Sequence, residues 1–338
     1  MPKPIFSIII PMYNVAPFVT RCIESLEEQD IPQSNYEIIC INDGSPDNCK
    51  EIIESLQIKY SNLILLNQEN QGVSMARNNG IAIAKGKYIL PIDPDDYVVK
   101  NSFKRIVTLV EKKQYDVVYL GYEFFDAEGK SIWKTNYAKQ NHQLFDGVEG
   151  YFQSRGFDVK DPDRSVAILY KKALLDTYQI GYPKNVPYLE DGLFLAKVFA
   201  VANKVSFDGE IFYQRTTRIG SATNSKLFYS EKAINGFILA INDIKEFSKQ
   251  NNLNEKQKGL VNHTIAKFVI LAITPCISSY RLKDYYKVLK KLKEANIQKV
   301  DIDGIRMDYK LLTKMFNFSN IFFFFYLPVH IKIKNYLQ

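Results

Sequence analysis

Four short, almost wholly apolar runs mark the N-terminal part of the chain: Phe6-Ser7-Ile8-Ile9-Ile10-Pro11, Tyr36-Glu37-Ile38-Ile39-Cys40-Ile41, Leu63-Ile64-Leu65-Leu66 and Tyr88-Ile89-Leu90-Pro91-Ile92. Runs of this length without polar alternation read as strands buried on both faces of a parallel sheet. The segments between them carry apolar residues at helical spacing: Phe18, Cys22, Ile23 and Leu26 in the first, Ile52, Ile53 and Leu56 in the second. Ser45 before Pro46 reads as an N-cap with proline at the first helical position. A third helix is expected from Val73 to Ala84, closed by Gly86, with Gly80 inside it weakening the pattern. Strands alternating with helices across short joints predict a parallel sheet covered by helices.

From about residue 116 the pattern changes. Val117-Val118-Tyr119-Leu120 and Lys130-Ser131-Ile132-Trp133-Lys134 bracket the turn Asp126-Ala127-Glu128-Gly129, a hairpin signal. Ala167-Ile168-Leu169-Tyr170 and Ile211-Phe212-Tyr213-Gln214-Arg215 read as further strands. Between them Glu190-Asp191 opens an apolar helix through Phe194, Leu195, Val198 and Phe199. Beyond Asn224 helical patterns dominate to the end, and no internal repeat is visible. The expected organisation is one domain over 1–225, in two halves at about 1–115 and about 116–225. A mainly helical, basic region over 226–338 follows.

The chemistry concentrates where the fourth run ends, at Asp93-Pro94-Asp95-Asp96. In open α/β sheets ligands collect beyond the carboxyl ends of the strands. Carboxylates gathered there repel one another and need a compensating cation, for which a hard divalent ion beside substrate phosphates is the natural partner. Pro94 fixes its own φ and biases Asp93 towards extended backbone, so the two flanking aspartates can aim at different groups. The first strand–helix joint, Met12-Tyr13-Asn14-Val15-Ala16, has no glycine, which disfavours a dinucleotide cofactor and a Walker-type loop. With only His142, His263 and His330, far apart in sequence, a zinc site and a histidine-activated nucleophile are also disfavoured. Acid–base work falls to carboxylates.

Together these stretches resemble the inverting family 2 glycosyltransferases of GT-A fold, which build bacterial surface polysaccharides from nucleotide sugars. The matching residues are Phe6 to Asn14, Asn42-Asp43-Gly44-Ser45, Gln71 to Gly80, Asp93-Pro94-Asp95-Asp96, Glu190-Asp191 and Tyr213-Gln214-Arg215. The resemblance implies a Rossmann-like mixed sheet flanked by helices, a helical C-terminal extension, and transfer of a sugar from a UDP-sugar to a saccharide hydroxyl. It implies Tyr13 against the uracil face with Pro11 beside it, Asp43 on the base edge, and Arg77 on the base or the neighbouring carboxylates. It also implies Asp93 at the ribose, Asp95 on Mn²⁺ or Mg²⁺ bridging the diphosphate, and Asp191 as general base. Two features depart from the family pattern. Proline stands between the aspartates where a small residue is commoner, and residues 192–225 contain no histidine to complete a metal shell. Metal ligation is therefore expected to rest on Asp95, diphosphate and water, with Arg215 or Arg218 neutralising phosphate. The alternatives are a sugar-nucleotide nucleotidyltransferase, which would want a Gly-rich basic loop after the first strand, and an inactive sugar-nucleotide-binding scaffold.

Charge adds a last expectation. The chain carries +7 overall, but residues 226–338 hold 19 Lys and Arg against nine Asp and Glu, while 1–225 is slightly acidic. The aromatic run Ile321 to Leu327 is far shorter than the ~20 residues that span a bilayer. Beside so many lysines it is expected either to seat the protein on an anionic membrane surface, where a lipid-linked acceptor would be met, or to fold back onto the protein. No nucleic-acid partner is expected. Met1-Pro2-Lys3-Pro4 leads straight into the first strand, and Cys22, Cys40, Cys49 and Cys276 lack metal-ligand spacing. The expectation is a cytoplasmic protein, held on the inner face of the plasma membrane if the tail seats on lipid and not if it folds back.

Overall fold

The computed structural model describes residues 3–156, 163–216, 230–278 and 281–336. The chain begins β1 (Phe6–Met12), α1 (Ala16–Glu27), β2 (Tyr36–Asp43), α2 (Cys49–Gln57), β3 (Leu63–Gln68), α3 (Val73–Ile83) and β4 (Tyr88–Pro91). Next come β5 (Tyr97–Val98), α4 (Phe103–Lys113), β6 (Val117–Phe125), β7 (Ser131–Lys134), α5 (Gly147–Gln153), β8 (Ile168–Lys171), α6 (Lys172–Thr177), α7 (Glu190–Val201) and β9 (Val205–Thr216). Five helices complete it: α8 (Glu231–Gln250), α9 (Glu255–Ser278), α10 (Leu282–Glu294), α11 (Met307–Phe318) and α12 (Asn320–Tyr336).

The strands form one mixed sheet in the order β3-β2-β1-β4-β8-β6-β9-β5, with β7 paired to β6. The first four are parallel, so their carboxyl ends, at Met12, Asp43, Gln68 and Pro91, share one edge; β1, β2 and β4 are buried throughout, whereas β3, at the edge of the sheet, is only partly buried. β8 runs antiparallel to both β4 and β6 and turns the sheet from parallel to mixed. The core beneath it is aliphatic and aromatic, with Ile8, Ile10, Ile38, Leu90, Phe103 and Phe212 fully buried. All four cysteines are buried free thiols.

Two local expectations change. Ser45 caps no helix: α2 starts at Cys49, and the Ser45 hydroxyl instead accepts from the Asn14 amide at 2.7 Å and donates to Asp47. It ties the β2–α2 loop to the β1–α1 loop. Gly86 does not close α3, which ends at Ile83 with extended backbone at Ala84. Gly86 is small because a Cβ there would stand 2.5 Å from the Ser7 amide nitrogen. Gly80 similarly lets α3 settle on the sheet, since a Cβ would meet Ile41 at 2.7 Å and Ile9 at 2.8 Å. Its helix-propensity penalty is outweighed by close packing.

The chain divides into two compact units, Met1–Lys184 with Val201–Ser221, and Asn185–Ala200 with Ala222–Gln338. The grouping places Asn185–Ala200 with the C-terminal helices, whereas the sequence pattern suggested a single break at 225. In the second unit α9 is the central helix, touching α8, α10, α11 and α12. Among the described residues its stretch Glu255–Ile277 is the one long and apolar enough to cross a membrane by length and composition, and 78% of its apolar window is buried inside the protein. The sequence reading had not singled it out.

Candidate active site

The edge formed by the carboxyl ends of the parallel strands gathers most of the expected residues. Pro11 is the last but one residue of β1, and Tyr13, just past the strand's end, is half exposed. Asp43 ends β2 and is buried. Its carboxylate accepts from Gln68 Nε2 at 2.7 Å, from the Gln71 amide at 2.8 Å and from the Gly72 amide at 2.9 Å. Three donors fix one carboxylate, so Asp43 shapes the loop that leads into α3 as well as facing the edge.

Arg77, on α3, is buried and pairs with Asp93 Oδ1 at 2.8 Å. Its guanidinium lies over the Tyr182 ring, 5.0 Å from the centroid. The neighbouring Asn78 grips the Tyr182 backbone at both ends: Asn78 Nδ2 donates to the Tyr182 carbonyl at 2.8 Å, and the Tyr182 amide donates to Asn78 Oδ1 at 2.7 Å. Of the two roles expected for Arg77, the structure displays its contact with a neighbouring carboxylate. Tyr182 and Asn78 were not foreseen as site residues, although Asn78 lies inside the Gln71–Gly80 stretch.

The turn after β4 brings Asp93, Asp95 and Asp96 together, each offering a carboxylate oxygen within 4.8 Å of the others. Pro94 therefore does not keep the carboxylates apart, and Asp96 joins them. Asp96 is buried, accepting from the Tyr213 hydroxyl at 2.6 Å and the Thr216 amide at 2.9 Å. The Asp93 amide donates to the same Tyr213 oxygen at 3.2 Å. The Asp95 carbonyl accepts from Thr216 Oγ1 at 2.7 Å and from Arg21 at 2.9 Å, and the Arg21 guanidinium lies over the Tyr97 ring. Helix α1 and the end of β9 thus hold the turn from two sides. Arg21, Tyr213 and Thr216 escaped the sequence reading in this role because nothing local connects them to a turn many residues away.

Burial, then the charges of Asp93 and Asp95, push the Asp96 carboxyl up to about 8 against its two hydrogen bonds. Burial, then the Asp96 charge, hold the Tyr213 hydroxyl well above its ordinary range, so it stays protonated and donates. A cluster this crowded is short of positive charge. Its donors are all oxygens, and their spread is about twice a hard cation's metal–oxygen distance of roughly 2.1–2.5 Å. The residues fit Mg²⁺ or Mn²⁺.

Arg215, on β9, stacks over Phe124 with 4.8 Å to the centroid. Burial opposes its charge, but the Tyr122 hydroxyl, then Asp96 and Asp93, more than offset that and raise its pKa. Arg218 lies outside the described residues. Asp191 is half-buried at the second position of α7, in the second unit.

The model of the family described as Glycosyl transferase family 2 matches residues 7–176. An uncharacterised glycosyltransferase of Bacillus subtilis, EpsJ, is 31% identical over 210 residues, 62% of this chain and 60% of that protein. A poly(ribitol-phosphate) beta-glucosyltransferase of Bacillus spizizenii is 28% identical over 254 residues, 75% of this chain and 38% of its own length. The matched stretches thus take in less than two thirds of these curated relatives. The crystal structure of Staphylococcus aureus TarS 1–349 in complex with UDP-GlcNAc superposes with a TM-score of 0.72 at 21% identity, covering 94% of this chain and 89% of that one. At that identity the likeness speaks for the fold, which is GT-A: a mixed sheet flanked by helices and followed by C-terminal helices. With the family model matching half of its length across the strands and loops that build the carboxylate edge, the chain belongs to glycosyl transferase family 2.

Proposed function

We propose that this protein is an inverting, divalent-metal-dependent glycosyltransferase that moves a sugar from a UDP-sugar to a hydroxyl of a saccharide acceptor. The observation that carries the reading is the convergence of Asp93, Asp95 and Asp96 at the strand edge that also bears Tyr13, Asp43 and Arg77. The UDP-GlcNAc in the TarS structure supports uracil as the base. Tyr13 stacks on the base, Pro11 borders it and Asp43 meets its edge. Arg77 holds Asp93 in place for the ribose.

A bound Mn²⁺ or Mg²⁺, held by Asp95, would stabilise the charge of the departing diphosphate without proton transfer. Arg215, kept cationic at the end of β9, adds positive charge on the phosphate side, with Arg218 beyond it in sequence. Asp191 accepts the acceptor hydroxyl's proton as that oxygen bonds to the anomeric carbon. The bond from that carbon to the β-phosphate oxygen breaks, and its electron pair leaves with the nucleoside diphosphate. A single displacement from the opposite face inverts the anomeric centre. The acceptor we propose is a lipid-linked saccharide of cell-surface polysaccharide synthesis; the B. spizizenii relative is named for glucosyl transfer to a polymer, poly(ribitol-phosphate). The basic C-terminal region would bring the protein to the cytoplasmic face of the membrane carrying it.

Calorimetric titration with UDP and UDP-sugars, in Mn²⁺ and in chelator, tests the donor reading. Wild type is expected to bind UDP more tightly with Mn²⁺, and Asp95→Asn to lose that increment along with about 10²–10³-fold in transfer rate. Asp191→Asn is expected to keep donor affinity while kcat falls about 10²–10⁴-fold. A purified protein that binds no sugar nucleotide under either condition sinks the proposal.

A further inference from the structure

Helix α12 is apolar nearly all the way round between Ile321 and Leu327, yet only one of its sides is covered. On the covered side Phe323, Phe324 and Leu327 are buried. Phe324 packs on Tyr285 of α10 at 5.1 Å between ring centroids, Phe323 meets Phe316 of α11 at 5.8 Å, and the Tyr285 hydroxyl donates to the Asn320 carbonyl at 2.8 Å. On the other side Ile321, Phe322 and Phe325 face outward, Phe325 60% exposed, and Phe318 at the end of α11 is 85% exposed. Met307 and Leu311 continue the stripe along α11, spaced by one helical turn, with Lys314 on the same face. The covered side shows the tail folded back onto the protein, while the open face is too apolar to be an ordinary surface.

The neighbouring helix α10 is basic. Tyr285 fixes α10 against α12, and the exposed side of α10 bears Lys283, Lys287 and Lys290 together with the exposed ring of Tyr286; Lys287 pairs with Asp284 at 3.6 Å and Lys290 with Glu294 at 3.9 Å, which leaves the helix with more lysines than carboxylates. A second copy of this chain would bring more of the same positive charge rather than its complement. An anionic bilayer supplies the opposite sign and an apolar layer beneath it.

We propose that the outward face of α11 and α12 docks on an anionic lipid surface. Phe318, Ile321, Phe322 and Phe325 lie at the boundary of headgroups and acyl chains, and the α10 lysines rest against the headgroups. The helix lies on the membrane and does not cross it. Its 17 residues reach about 25 Å against a hydrocarbon core of about 30 Å, and one side is already committed to the protein core. The proposal rests on the membrane-bound acceptor read above and deepens it by assigning the docking face.

Flotation of the full chain with vesicles of phosphatidylcholine, with and without phosphatidylglycerol, tests this. Binding is expected only to the anionic vesicles, and it should weaken as salt rises. Phe322→Ser and Phe325→Ser are each expected to lower partitioning at least about tenfold, as loss of a buried aromatic implies. Lys283→Gln and Lys287→Gln should each lower it about fivefold. Because these side chains are exposed, thermal unfolding of the variants should match wild type, which separates docking from misfolding. UDP binding, measured on the same preparations, reports the donor site independently, so its absence would count against the transferase and leave the docking result standing. Wild-type protein that ignores anionic vesicles overturns the proposal. So does a dimer, seen by sedimentation, that the Phe→Ser changes dissociate, because the face would then belong to a second copy.

Discussion

Thr216 and Arg21 meet at one backbone oxygen, the carbonyl of Asp95, and that oxygen sets where the Asp95 side chain begins. A metal ligand is only as well placed as the groups that orient it, and removing such an orienting partner typically costs 10–100-fold in metal affinity. Thr216→Val keeps the branched shape and removes the hydroxyl donor. We expect it to shift the Mn²⁺ midpoint for UDP binding about 10–100-fold, with UDP affinity in chelator unchanged and Thr216→Ser restoring most of the loss. A variant that unfolds at the wild-type temperature yet shows an unmoved Mn²⁺ midpoint would show that the turn needs no such brace. At this scale the sequence was legible wherever chemistry was local: three aspartates in four residues announced themselves. Arg21 and Thr216 did not, because their partner is a carbonyl 74 or 121 residues away and any polar side chain looks alike until the fold brings it there.

Among the elements, β1, β2 and β4 were readable because burial on both faces demands continuous apolar runs, and β3, though only partly buried at the sheet edge, also sits where such a run lies. The insertion of β8 between β4 and β6, antiparallel to both, was not readable, since strand order depends on long-range pairing that no short segment encodes. The hydroxyl of Ser45 looked like a cap and became a loop-to-loop tie for the same reason. Gly86 shows how a residue can be correctly noticed and wrongly explained. Its amide donates to Ser7 Oγ at 2.8 Å, and Ser7 Oγ donates to Glu37 at 2.6 Å, a buried chain joining the α3–β4 joint to β1 and β2. A methyl group there would press on Ser7 backbone, which cannot swing aside. Gly86→Ala is therefore expected to destabilise by about 1–3 kcal/mol in denaturant titration. Gly156→Ala, whose nearest atom is 3.5 Å away, should stay within about 0.5 kcal/mol. Equal losses at the two positions would refute the close-approach explanation.

Across the whole molecule the charge divides unevenly, and the basic share belongs to the C-terminal residues that include α8 to α12. A basic, aromatic tail suggests a detachable appendage, and deleting residues 316–338 looks like the obvious way to ask whether it binds membrane. The packing argues otherwise. Phe316, Phe323, Phe324 and Leu327 are buried, and α11 and α12 both lie against α9, the apolar helix at the centre of its unit. Removing four such side chains forfeits on the order of 1.5–3 kcal/mol each, a sum comparable with the 5–15 kcal/mol that holds a typical domain together. Truncation before Phe316 is accordingly expected to lower the unfolding temperature sharply or to yield aggregate, with faster amide exchange in α9. Lost vesicle binding in that truncated protein would then report a broken core, whereas the outward Phe→Ser changes leave the core intact. A truncated chain that unfolds at the wild-type temperature would mean that α12 adds nothing to the stability of its unit, and the buried half of its aromatics would need another explanation.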